Sequence, residues 1–142
     1  VVYYFFHLRQ QVRARQSDMV WRLYSDLNRK EFHDAWTKTI NLEFTDYSDL
    51  VKRYGQPFSG KPVTGAIIMV ANFFEGVGVL LKRNLIDTSM VVDLLPVEMT
   101  WEKMKPIVEG MRKQFNEPRF YEWFEYLYNE MKKREQRGVK SG

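Results

Sequence analysis

The sequence contains no cysteine and only two histidines, His7 and His33. A disulfide framework and a thiolate metal site are excluded, and a histidine zinc site would need carboxylates to complete it. The absence of cysteine also favours a reducing compartment. The sequence lacks a Gly-rich phosphate loop ending in Lys-Ser or Lys-Thr, a G-x-S-x-G elbow and an H-E-x-x-H helix, so no catalytic, cofactor or metal set is expected. Gly76-Val77-Gly78 lacks a third glycine and a preceding strand, which makes it a helix contact rather than a nucleotide loop. His33-Asp34 point in different directions on a helix and form no acid–base dyad. No segment alternates with the period of a strand, and no repeat or low-complexity tract is present.

Acid is scarce at both ends. Residues 1–16 hold Arg9, Arg13 and Arg15 with no carboxylate, and residues 130–142 hold five basic residues against Glu130 and Glu135. The remaining residues, 17–129, carry 14 basic and 16 acidic groups, so the overall charge of +4 belongs to the termini. Ten Phe, eight Tyr and four Trp in 142 residues are too many for a disordered chain, and they imply one packed core.

The opening Val1-Val2-Tyr3-Tyr4-Phe5-Phe6-His7-Leu8 is apolar and aromatic, and Arg9, Arg13 and Arg15 follow at once. Eight residues do not span a bilayer, which takes about 20 in helix. Aromatic rings followed by arginine without acids is nevertheless the pattern of a membrane helix leaving the hydrocarbon on the cytoplasmic side. Because the chain opens on Val rather than Met, the rest of that helix is expected upstream. Tyr3, Tyr4, Phe5, Phe6, Arg9, Arg13 and Arg15 are the candidate membrane-surface residues.

From Asp18 onward apolar residues recur at helical spacing, and the first helix is expected to continue to about Asn28. A short helix presenting Phe32, Ala35, Trp36 and Ile40 follows. Asp46 caps a third helix that Gly55 closes, and residues 56–62 form the strongest loop signal. Val63 to Leu81 is the most apolar stretch, 19 residues interrupted by Asn72, Glu75, Gly76 and Gly78. A carboxylate at mid-bilayer depth is costly, so this reads as the central helix of a bundle, with Asn84 as its C-terminal cap. Asp87 caps a helix through Leu95. Thr100 is expected to cap another from Trp101 to about Phe115, kinked at Pro106. Pro118 is expected to open the last helix at its first position. The fold class is thus all-α, one bundle of six or seven helices. Its segments are 1–16 (membrane helix end and basic juxtamembrane stretch), 17–131 (helical domain) and 132–142 (basic flexible tail).

Glu75 is the leading polar residue, because a carboxylate in so apolar a helix needs a partner or a proton. Asn72 lies on a similar face, and Arg83 and Arg112 are the candidate cations. The structural reading is a buried Glu75–Arg112 pair that sets the central helix against the Trp101 helix. Trp123, Tyr121, Tyr126, Tyr128 and Arg119 could instead stack on and contact single-stranded nucleic acid, but Glu117, Glu122, Glu125 and Glu130 interrupt that face.

Residues 72–87, NFFEGVGVLLKRNLID, followed by Trp101, Pro106, Arg112 and the Phe120-Tyr121-x-x-Phe124-Glu125-x-Leu127 stretch, resemble a prokaryotic family of small helical domains of unknown function. Its members often carry one N-terminal membrane helix. The resemblance covers roughly residues 10–130 and places Asn72, Glu75, Trp101 and Arg112 in a shared structural network. It brings no reaction with it. Asn84 departs from the Gly that many relatives have, a change the same cap geometry tolerates.

The expected function is non-catalytic: a membrane-anchored, cytoplasm-facing accessory or scaffolding subunit. Lipid lies at its N-terminal end, a protein is its partner, and a second copy of the chain is an admissible one. The alternatives are a soluble nucleic-acid-binding helical module, which the charge distribution disfavours, and an enzyme using Glu75 in a polar pocket.

Overall fold

The computed structural model describes residues 1–140. Seven helices follow in order: α1 (Val2–Leu27), α2 (Lys30–Ile40), α3 (Tyr47–Tyr54), α4 (Pro62–Lys82), α5 (Thr88–Leu94), α6 (Val97–Gln114) and α7 (Glu122–Lys140). The all-α class holds, with no strand among the described residues.

Several ends form where the side chains require. The Asp46 carboxylate accepts the Asp49 N–H at 2.8 Å, and the Asp87 carboxylate accepts those of Ser89 and Met90, so both short helices begin with satisfied donors. At the end of α4, Asn84 turns left-handed (φ 56°) while the Leu85 N–H reaches back to the Leu80 carbonyl at 3.0 Å. This is the six-residue closure that favours Gly or Asn.

Helix α4 is the one described helix long and apolar enough to cross a membrane, and here it is the axle of the bundle. Its buried side chains include Ile67, Val70, Ala71, Phe74 and Val77. Helices α7 and α2 pack most extensively on it, and α6 lies against α7. Phe74 stacks on Phe124 (5.0 Å between centroids), and Trp101 meets Phe124 edge-on at 4.9 Å. Burial of such rings, at roughly 25 cal/mol per Å² of apolar surface, is the main stabilising term. Of the two glycines in α4, only Gly78 marks a close approach. A Cβ there would lie 2.0 Å from the Trp123 carbonyl oxygen, whereas one at Gly76 meets nothing within 4 Å.

Three expectations need correction. Helix α6 begins at Val97, not Trp101, because Pro96 occupies the cap position. Thr100 is instead fully buried inside the first turns, donating to the Pro96 carbonyl and accepting the Trp36 indole N–H at 2.9 Å. The helix runs on through Pro106, whose missing N–H falls on an exposed face where water can serve the Glu102 carbonyl. Pro118 does not open α7. Asn116 (φ 51°) and Tyr121 (φ 55°) both take the left-handed conformation, which folds residues 115–121 into turns and delays the helix to Glu122. Lastly, the segment expected as a tail is helical from residue 132 to Lys140, continuing α7, and residues 141 and 142 lie outside the described residues.

Candidate functional site

The polar residues singled out in α4 converge with Arg112 on the start of α7, though through different partners than expected. Glu75 is half-buried and does not pair with Arg112. Its carboxylate accepts the Phe124 N–H at 2.8 Å and the Trp123 N–H at 3.4 Å. It thus does for α7, from another helix, what an N-cap side chain does for its own. Arg112 donates to the Phe120 carbonyl at 2.8 Å and pairs with Glu125 at 3.1 Å. Arg83 sits at the exposed end of α4 and takes no part. Asn72 accepts the Tyr121 hydroxyl at 3.1 Å. Trp101 contributes apolar contact alone, through Phe124 and Tyr128.

The reason for this convergence is local. A turn with a left-handed, non-glycine Tyr121 is strained unless its surroundings hold it. Asn72, Glu75 and Arg112 hold residues 120–125 at five separate atoms. Burial pushes the Glu75 carboxyl pKa above its ordinary value, a rise that the two N–H bonds only partly oppose. Burial, with the Glu75 charge nearby, pushes the Tyr121 hydroxyl up to about 12. Tyr121→Phe is expected to lower stability by about 1 kcal/mol. In a spectrophotometric alkaline titration it should also remove the last tyrosinate step, near that value.

Phe58, Asn72, Glu75, Glu117, Arg119 and Tyr121 border an open cavity of about 540 Å³ beside this turn. The stacking groups considered for nucleic acid are largely engaged already. Tyr121 is buried, Trp123 meets Tyr126 edge-on at 5.6 Å, and Arg119 donates three hydrogen bonds to Glu122.

At the other end of the molecule, residues 2–15 of α1 are exposed on every side. Tyr3 retains 82% and Phe6 60% of its accessible surface, and Arg9 lies 5.9 Å over the Phe5 ring. Gln16 is the first residue held by the body. Its side chain donates to the Asn84 carbonyl at 2.8 Å, and its own carbonyl accepts the Asp87 N–H at 3.4 Å. Tyr3, Tyr4, Phe5, Phe6, Arg9, Arg13 and Arg15 therefore form one projecting arm, about 21 Å long from Val2 to Gln16 at 1.5 Å per residue.

Sequence reasoning missed Gly110, where a Cβ would strike the Tyr47 ring at 2.0 Å, and Lys103, which donates to the Leu42 carbonyl. Glycine inside a helical pattern was the available signal for the first; nothing marks the second. Comparison with curated proteins and with solved structures finds no match. The model of the family described as a domain of unknown function, DUF4760, does match, over residues 1–131. Both the arm and the polar network fall within that match, and the chain belongs to the DUF4760 family.

Proposed function

We propose that this chain is the cytoplasm-facing domain of a membrane-anchored accessory or scaffolding protein, with α1 continuing into the bilayer. The observation that supports it best is the arm. An isolated helix of this length is marginal in water, and one with apolar groups on every face is costly to hydrate. Set at a bilayer boundary, Tyr3, Tyr4, Phe5 and Phe6 would lie at headgroup level, with Arg9, Arg13 and Arg15 in the anionic surface potential beneath. The prokaryotic family resemblance, with its frequent N-terminal membrane helix, points the same way. For the partner-binding part, support comes from a groove of about 590 Å³ between α5 and α7, where Val92 and Met99 remain about half exposed.

The test is fractionation of cells expressing the full reading frame. The protein should stay in the membrane pellet through alkaline carbonate and leave it in detergent, together with a stoichiometric protein identified by mass spectrometry. Recovery in the soluble fraction would refute the anchor. A second reading, an enzyme using Glu75, draws on the adjoining cavity and on the raised carboxyl pKa. An activity abolished by Glu75→Gln at unchanged stability would favour it.

A further inference from the structure

The two basic ends of the sequence are far apart in the chain and adjacent in the fold. Helix α1 enters the body at Gln16, against the turn of Asn84 and Asp87 that follows α4. Helix α7 runs alongside the second half of α4, since Trp123 abuts Gly78 and Lys82 lies 5.5 Å over the Tyr126 ring. Beyond Tyr126 it continues past the end of α4. Arg134 lines the same groove as Ser89, next to the Asp87 cap, and its charge adds a little to the Ser89 hydroxyl in holding the Asp87 carboxyl below the ordinary range. Six further residues then carry α7 outward by about 9 Å. Both helices therefore leave the body at the end where α4 stops, and Lys82 and Arg83 occupy that end too.

Acids are present there: Lys132 bridges Glu98 and Glu135, and Lys133 pairs with Glu130. Exposed pairs of this kind contribute little, about 0–1 kcal/mol in general. With Asp18, Asp87 and Asp93, which lines the groove beside Arg134, these make six carboxylates against the three arginines of the arm, Lys82, Arg83 and the five cations of residues 132–140, so positive charge stays in excess at this end. A field of one sign at the base of an aromatic-tipped arm fits a flat anionic partner.

We propose that the basic end of α7 binds the same anionic phospholipid surface as Arg9, Arg13 and Arg15, so that two arms from one end of the bundle hold the domain against the bilayer. This rests on the anchoring reading above and adds a second contact to it. The second arm binds from a high effective concentration once α1 is engaged, so modest individual contacts compound.

The experiment is vesicle co-sedimentation of the 142-residue chain, using phosphatidylcholine with and without phosphatidylserine. It compares wild type with the triple variant Lys133→Gln, Arg137→Gln, Lys140→Gln. The variant should bind phosphatidylserine vesicles at least about tenfold more weakly and phosphatidylcholine vesicles unchanged, because each cation near the surface contributes. Equal binding of variant and wild type to phosphatidylserine would overturn the second arm and leave the anchor standing. Failure of wild type to bind phosphatidylserine vesicles would overturn the contact of both arms with anionic lipid, while the anchor itself stands or falls on the fractionation above. Tighter binding to a single-stranded oligonucleotide at the same ionic strength, lost in the same variant, would reassign this end to nucleic acid.

Discussion

Replacing Gly78 by alanine is expected to destabilise the domain by about 1–3 kcal/mol, whereas Gly76→Ala, two residues away in the same helix, should stabilise it by about 0.5–1 kcal/mol. The added methyl at Gly78 falls 2.0 Å from the Trp123 carbonyl oxygen and 2.5 Å from its carbon. Both are backbone atoms that cannot rotate away. Either α4 and α7 separate, loosening the Phe74–Phe124 stack, or the first turn of α7 moves off the Glu75 carboxylate. At Gly76 the new methyl meets open space, so only the gain in helix propensity remains. Urea denaturation of the two variants separates the effects. A Gly78→Ala protein as stable as wild type would mean that the helices do not approach this closely.

Substitution of Glu75 carries the other large effect. Glu75→Ala deletes the acceptor for the Phe124 and Trp123 N–H groups at a partly buried helix start, a loss of about 1–3 kcal/mol. Glu75→Gln keeps an acceptor and should cost less, and its deficit should depend on pH. Burial raises the Glu75 pKa in the folded protein, so as pH climbs past the ordinary carboxylate range the unfolded chain loses its proton first. The stability that Glu75 contributes is therefore fully present below that range and is lost as pH rises through the folded value. The gap between wild type and Glu75→Gln should be widest in acid and narrow toward neutrality. A gap that widened with pH would mean a carboxylate stabilised as an anion. The Asp87 cap supplies the contrasting sign: its pKa is lowered, chiefly by the Ser89 hydroxyl, and its contribution fades as the solution becomes acid.

Features set by a side chain acting on its own neighbours were legible in the sequence. Asp46, Asp87 and Asn84 fix helix ends through atoms two to four residues away, and the apolar run from Val63 identifies a helix surrounded by others. The failures share a cause. Thr100 has the chemistry of a cap, but its hydroxyl serves a distant indole. Pro118 suits a first helical position, but two left-handed residues flank its segment. For Glu75 a sequence suggests a cation, because charges are visible in it. Its actual partners are backbone N–H groups, which every residue except proline offers and no letter distinguishes. The convergence of Asn72, Glu75 and Arg112 on one turn could be anticipated as a network, but not as a clamp on the start of α7.

Helix α1 passes from the exposed arm through Gln16 to buried Val20 and on to Leu27 without a break, proline or glycine. The arm and the bundle consequently turn as one shaft. The azimuth of the arm fixes which flank of the domain faces its surroundings, and a single residue inserted ahead of Gln16 would swing that flank by about 100°. Register along this shaft, as much as any side chain on it, governs how the groove between α5 and α7 is presented.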